Sequence, residues 1–389
     1  MLLQNKQVAI IGGGPGGLTL ARLLQLQNVN VKVYERDLNK NARVQGSLLD
    51  LHNDSGLAAI RKADLFEEFK TNFLPGADKT LIVNEQAAIF FSDHDTNREE
   101  DFDNEYFRPE IDRGTLRKIL LESLQPETVI WNSHFDSMEK QNNGWQLHFK
   151  NGSSAYADVV IGSDGANSKI RPYITNIKAI YSGITMLEGN VYDSQKAVPN
   201  IDSLCKGGKI MAFGNNKNIL LGQKGGGDLG FYASFRANEN WTADSGLDYY
   251  DKTQILNWFK NEYPEWSTIW YELFENVTTP FISRPIYCMP LNQTWEALPN
   301  ATIIGDAAHV MPPFAGEGAN MAMLDALELR ECLTSNKYNT LQEAISFYEL
   351  NMRERASKAA QESLENGDKM HSENALKMML DFFSEELRD

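Results

Sequence analysis

The feature that most constrains this 389-residue chain lies in its first fifty residues. Gln7–Ile11 (QVAII) is a short apolar run with β-branched members and reads as a buried strand. Gly12-Gly13-Gly14-Pro15-Gly16-Gly17 follows and fits G-x-G-x-x-G through Gly12, Gly14 and Gly17. Leu18, Ala21, Leu24 and Leu26 then fall near a 3.6-residue period, and a second strand (NVKVY) ends at Glu35. Each part has a mechanical reason. Gly12 permits a tight turn, Gly14 lets backbone approach a pyrophosphate, and Gly17 lets helix and strand pack closely. The helix N-terminus offers unpaired N–H groups to phosphates. Glu35 stands where a carboxylate can accept ribose hydroxyls. A glycine-rich turn alone is common; strand, turn, helix, strand and acid in series point to a dinucleotide.

The rest of the composition narrows the partners. Net charge is −16 and hydrophobic residues make up 42%. That acidity argues against nucleic acid and anionic membranes, which select clustered Lys and Arg. Cys205, Cys288 and Cys332 are far apart and form no C-x-x-C, so reduced thiols are expected rather than a disulfide framework or zinc site. No stretch is long and apolar enough to span a bilayer, and the N-terminus reaches its first strand without room for a leader. A cytoplasmic monomer is the expectation.

Further along, residues 110–113 (EIDR) precede Leu116, Ile119, Leu120 and Leu124, a helix with an apolar face. Asp112 or a neighbour caps it in this reading, with Arg113 in the first turn. Residues 128–131, 145–149 and 156–161 read as strands, the last leading into Gly162-Ser163-Asp164-Gly165. Between 178 and 284 the texture becomes sheet-rich, with strands including 219–221 and 229–235 and two Trp-containing amphipathic stretches. Residues 302–306 (TIIGD) form another strand ending in an acid, and Gly316-Glu317-Gly318-Ala319-Asn320 opens a long helix. The tail reads as helix with a break near 366–368.

Three such strand–turn pieces in this order resemble the FAD-dependent class A monooxygenases of the para-hydroxybenzoate hydroxylase-like fold. Gly12–Gly17 resembles their ADP-binding fingerprint. Asp158, Asp164-Gly165, Ser168 and Arg171 resemble their DG motif, and Gly305-Asp306 through Pro312-Pro313, Gly316, Gly318 and Asn320 their GD motif. The resemblance implies an α/β fold: a Rossmann-like FAD-binding domain, an inserted sheet-rich substrate domain and a C-terminal helix. It divides the chain into FAD-binding pieces at 1–72, 107–177 and 285–350. Substrate-domain pieces fall at 73–106 and 178–284, with a helical segment at 351–389. Within the family, the chain is similar to the TetX-type tetracycline-inactivating enzymes over nearly its whole length. Carried segments include VYERD, the stretch from Arg43 to His52, PEIDRGTLRKILL and GDAAHVMPPFAGEGAN.

That likeness assigns Arg43 to NADPH and Asp50, Arg113 and Asp306 to FAD. Arg36, Arg117, Asp164, Pro313, Gly316, Gly318 and Asn320 join the cofactor set through the same motifs. Read without it, Arg43 is a surface arginine, Asp50 a turn or capping residue, and Arg113 a solvated first-turn residue. Asp306, at a strand end, suits polyol hydroxyls, and the helix opening near Gly318 favours the negative charge of a reduced flavin. The substrate pocket departs from the subfamily. Its glutamine, arginine and histidine fall on Glu188, Lys209 and Gly230. This removes a planar donor fork and an imidazole and adds a carboxylate. Gly230 is expected to leave a void, and Lys209 is a candidate partner for Glu188. Phe231 and Phe235, on one strand face, are candidate pocket walls or simple core. Met370 is a candidate pocket methionine or a core one.

The implied activity is NADPH- and O2-dependent hydroxylation of a polycyclic or phenolic molecule by a C4a-hydroperoxyflavin. The trio at 188, 209 and 230 implies weak tetracycline turnover. No side-chain catalyst or metal is needed, and His52 and His309 read as structural or cofactor-adjacent. A halogenase lacks its W-x-W-x-I-P signature here, and a disulfide reductase lacks C-x-x-C. A flavin-loaded binding protein without turnover stays open.

Overall fold

A computed structural model of the chain describes residues 2–42, 48–95 and 100–386. Its centre is a five-stranded parallel sheet in the order Ala301–Ile303, Val159–Gly162, Gln7–Ile11, Asn30–Tyr34, Val129–Ile130. The central strand is buried on both faces from Val8 to Ile11, which is why its sequence is continuously apolar rather than alternating. Parallel neighbours need crossovers. The first is the helix Pro15–Gln25, started by a proline whose missing N–H is no loss at that position. A small antiparallel sheet (Phe135–Gln141, Gly144–Phe149, Ser154–Ala157) adds Trp145, Leu147 and Phe149 to the same core. The expected α/β architecture with a Rossmann-like half is what the chain adopts.

The second unit is a seven-stranded sheet, ordered Ile282–Cys288, Ile180–Val191, Leu229–Arg236, Lys217–Gln223, Lys209–Gly214, Thr80–Asn84, Ile89–Ser92. Side chains alternate between its faces. One set, including Leu187, Ile210, Ile219, Leu221, Phe231 and Ala233, packs against the helices Pro199–Cys205, Lys252–Glu262 and Tyr271–Glu275. The other set, including Ile184, Met186, Met211, Leu220 and Tyr232, meets Phe314 and Met370 and so faces the nucleotide half.

Two helices join the halves. Glu317–Thr334 crosses the first helix closely: a Cβ on Gly16 would stand 2.8 Å from the Ala322 carbonyl oxygen. The 30-residue helix Leu341–Met370 runs from one sheet to the other. Near its start Glu349 accepts bonds from Thr302 Oγ1 (2.7 Å) and Trp295 Nε1 (2.8 Å). Further on, the Ser363 hydroxyl donates to the Pro312 carbonyl (2.5 Å). At its end the Asn218 amide donates to the Met370 carbonyl (3.2 Å).

Three sequence expectations are corrected here. The strand read at 156–161 is two strands, because Asp158 breaks it to clamp Gln7: the Gln7 N–H donates to its carboxylate at 2.7 Å. The strand read at 128–131 is only Val129–Ile130. The helix break read at 366–368 falls instead at His371, since Gly367 is a packing glycine. A Cβ there would lie 2.7 Å from the Phe314 ring. No helix among the described residues is long and apolar enough to cross a membrane.

Candidate active site

The turn after the first strand shows why three glycines stand where they do. Gly12 has φ +108°, and a Cβ there would collide with the Ser163 carbonyl oxygen at 2.2 Å. A Cβ on Gly17 would collide with the Gly12 carbonyl oxygen at 2.2 Å. A Cβ on Gly14 would meet nothing within 4 Å: the turn is bare on that side. No side chain caps the helix behind it. Glu35 is buried at the end of the second strand and accepts the Gly13 N–H (2.6 Å) and the Asp37 N–H (3.0 Å). Arg117, also buried, ties this corner together through the Gly13 carbonyl (3.3 Å), the Lys40 carbonyl (3.4 Å) and Asp37 (3.0 Å). Its donors are used by protein, so it holds the turn. Arg36 is exposed beside Glu35. Arg43 lies outside the described residues.

Asp306 follows the third nucleotide strand. Its carboxylate opens on the cleft, has no hydrogen-bond partner among the described residues, and is walled closely by protein. That crowding raises its pKa, while His309, Arg113 and Arg171 pull the other way. The turn under it is fixed from two sides. Arg171 donates to the Asp306 (2.7 Å) and Ala307 (2.6 Å) carbonyls. Asp325, fully buried, accepts from the Gly305 N–H (2.8 Å), pairs with His309 Nε2 (2.7 Å), and pairs with Arg355 (2.7 Å). His309 is therefore structural. Arg113 opens the helix Arg113–Glu122 behind the Asp112 cap, as read from the sequence, and its Nε is buried without a partner.

The next turn, Pro313–Ala315, ends at Gly316 with φ +71°, and the helix Glu317–Thr334 begins with no side-chain cap. A Cβ on Gly318 would meet nothing within 4 Å. Beside this end His52 bridges Asp50 (3.2 Å) and Glu317 (3.2 Å). Burial opposes a charge on His52, yet the two carboxylates outweigh it and push its pKa up to about 9. Asp50 is held below the usual carboxylate range because His52 and Lys209 outweigh its own burial. Like Arg117, two further residues assigned to cofactor contact spend hydrogen bonds on protein. Asn320 donates to the Asp50 carbonyl (2.9 Å) and accepts the His52 N–H (3.0 Å). Asp164 accepts from the Ser168 hydroxyl (2.6 Å) and the Lys169 N–H (2.6 Å). Both hold loops in place.

Bare glycine turns at Gly14 and Gly318, two uncapped helix ends, an open carboxylate at Asp306 and an orphaned Arg113 Nε make one cradle for a long, phosphorylated, polyol-bearing ligand. A family model described as an FAD binding domain matches residues 5–213 and 300–363. The chain belongs to this family, the class A flavin monooxygenases. It is an FAD-dependent oxidoreductase. Among its relatives, monooxygenase asqM of Emericella nidulans is 29% identical over 85% of this chain and 84% of that one. The 6-hydroxynicotinate 3-monooxygenase of Pseudomonas fluorescens is 23% identical over 93% and 91%. Klebsiella pneumoniae HpxO, solved with FAD and uric acid, shares the fold with TM-score 0.76 at 18% identity over 99% and 93%. The tetracycline destructase Tet(51) does so with TM-score 0.73 at 16% over 98% and 96%.

On the substrate side of this monooxygenase the expected trio is rearranged. Glu188 is buried and paired with Arg284, not with Lys209. Lys209 pairs with Glu110, whose pKa burial pushes up to about 7 against the pull of the lysine. Gly230 leaves no void, because Lys224 fills it: its Cε lies 2.7 Å from where a Cβ would stand. The added carboxylate is thus neutralised by Arg284 and the expected void is filled, while the loss of the planar fork and the imidazole stands. Phe231 is on the far face, one residue out of phase with Gly230, in edge contact with Phe274 (5.3 Å) and Phe281 (6.1 Å). Phe235 shares that face, against Trp241 and Trp258. Neither walls the cleft. Met370 is buried under Phe213 and Ile82, on the cleft face. Sequence reading missed Lys224 and Tyr232. Alternation from Gly230 was the available signal for Tyr232; Lys224 gave none, since a loop lysine reads as solvated.

Proposed function

We propose that the protein hydroxylates an aromatic or polycyclic small molecule with NADPH as reductant. The overall balance is substrate C–H plus O2, NADPH and a proton, giving C–OH, NADP+ and water. The observation that supports it is the cleft between two unlike walls. One wall is the FAD cradle of Gly14, Arg113, Asp306 and Gly318. The other is the front of the seven-stranded sheet, where Tyr232, Leu220 and Met211 share buried clusters with Phe314. Bound FAD supplies hydride acceptance and O2 activation. The chain supplies the rest. Glu35 and Asp306 accept sugar and ribityl hydroxyls, and Arg113 neutralises phosphate. The uncapped end of Glu317–Thr334 favours negative charge placed against it. Phe314 and Tyr232 keep water from the reacting carbon. Oxygenation of a hydroxylated aromatic ring is also what the name of one relative describes, 6-hydroxynicotinate 3-monooxygenase. The deciding experiment is NADPH oxidation with a panel of phenols, anthraquinones and tetracyclines under O2, with products read by mass spectrometry. Gain of one oxygen atom by a panel member is the expected result. NADPH oxidation that no compound stimulates, with no oxygenated product, overturns the reading.

A further inference from the structure

Besides Arg236, which pairs with Asp368, the charged side chains on the cleft face of the large sheet include Lys209, Lys224, Glu188 and Arg284. Three are neutralised within the protein, Lys209 by Glu110 and Glu188 with Arg284 by each other. Lys224 differs. It leaves the strand Lys217–Gln223 just before a glycine turn, and its stem lies over Gly230, its Nζ 3.0 Å from the Cβ position. Its ammonium donates to the neutral Asn190 Oδ1 at 2.5 Å. Among the described residues it has no carboxylate within ion-pair distance.

The surroundings put this cation on the cofactor side. Register places Gly222, Gly230 and Asn190 in one row across neighbouring strands. Gly230 shares its face with Tyr232, which packs on the cluster of Ile184, Met186 and Ile286, as does Phe314 of the flavin-side turn. The fields acting on Lys224 come from Glu188, Asp112 and Asp228. Asp112 caps the helix whose first residue is Arg113, so the start of that helix lies within electrostatic reach of Lys224. A half-buried cation satisfied by one amide oxygen retains two donor positions. Removing an ammonium from water without a counter-charge is unfavourable, and an incoming anion relieves that cost.

We propose that Lys224, with Asn190 holding its stem over the bare glycine row, is the subsite that receives an anionic oxygen group of the substrate: a carboxylate, phenolate or enolate on the aromatic frame. This rests on the aromatic-hydroxylase reading. The probes are matched pairs that differ only in charge, 2-hydroxybenzoate with 2-hydroxybenzamide and 1-hydroxy-2-naphthoate with its amide. Binding to the FAD-loaded protein is read from the flavin absorbance difference spectrum, without turnover. The acid of a pair binds more tightly than its amide by about tenfold to a hundredfold, the worth of one charge-assisted hydrogen bond. Lys224→Met removes that preference and leaves amide binding within twofold. Lys224→Arg keeps it, and Lys196→Gln, the same charge change at an exposed site, has no effect. Equal binding of acid and amide by the parent, or a preference that survives Lys224→Met, overturns the subsite. No spectral response to any acid or amide overturns the aromatic-substrate reading itself, and the subsite with it.

Discussion

At the scale of single residues the site divides into side chains that face a ligand and side chains that hold those in place. Asp306 is of the first kind: open, unpartnered and set at a strand end. Asp306→Ala removes a charged acceptor for hydroxyls, so FAD retention falls by about 1.5–3 kcal/mol. Flavin fluorescence in ultrafiltrates measures this, and unchanged retention refutes the role. Asp325 is of the second kind. Asp325→Asn leaves the buried His309 without its counter-ion, while Arg355 keeps Glu328, and costs about 3 kcal/mol of stability. Denaturant melts of the apoprotein measure it, and a midpoint equal to the parent's speaks against it. Arg43 serves hydride delivery in our proposal. Arg43→Ala therefore raises the NADPH needed for anaerobic flavin bleaching and leaves bound FAD near the parent level. Identical bleaching at subsaturating NADPH removes the role. Gly12 and Gly17 were legible from sequence because each answers a backbone demand that no other residue meets, and Gly14 because close approach of a pyrophosphate needs the space. Asn320 and Asp164 were legible as motif members only. Motif membership does not say whether a polar group spends its bonds on ligand or on loop.

Among elements, the junction of the long helix with the large sheet is the one most open to a physical test. His371 ends that helix and is buried. Its ring donates to the Gly367 carbonyl (2.7 Å) through Nδ1 and accepts at Nε2 from Ser234 (2.7 Å) and Asn218 (3.2 Å). A neutral imidazole satisfies all three bonds; a protonated one loses its acceptor. Burial accordingly pushes the pKa down to about 4 from 6.5, with Arg236 acting the same way and Gly367 and Asp368 opposing. The unfolded chain protonates first as pH falls. The stabilisation is full above pH 6.5 and drains away between 6.5 and 4, by about 3 kcal/mol in all. Thermal melts across that window show the fall. His371→Asn is less stable at pH 7.5 but has a shallower slope below 6.5; parallel slopes contradict the assignment. The sequence pattern located the helix but misplaced its end. A glycine signals a break only when nothing packs against it, and Phe314 packs against Gly367. The same blindness to tertiary neighbours left Phe231 and Phe235 open between cleft wall and core. Alternation shows that two residues share a face, not which face is covered by helices.

For the molecule as a whole, the two halves are stitched by distant segments of chain. The large sheet takes strands from 80–92 and from 180–288, and the nucleotide sheet takes its own from 7–34, 129–162 and 301–303. The first fifty residues made the nucleotide half legible, since its chemistry is carried by backbone turns. The substrate half was legible as a sheet but not as a pocket. Its ion pairs join Glu188 to Arg284 and Lys209 to Glu110, partners about a hundred residues apart with no local mark in the sequence. The helix Leu341–Met370 spans both halves and touches Thr302, Asp325, Pro312 and Asn218 in turn. Such a rod works as a spacer gauge. One residue inserted into it swings everything beyond by about 100° and advances it by about 1.5 Å. An alanine inserted after Ser357 therefore unhooks Ser363, Gly367 and Met370 together, and the protein comes off purification colourless. The same insertion in the connection at 335–339, ahead of the rod, leaves it yellow. A lineage of this chain would then drift in the exposed side chains of the rod while its anchoring residues and its length stay frozen.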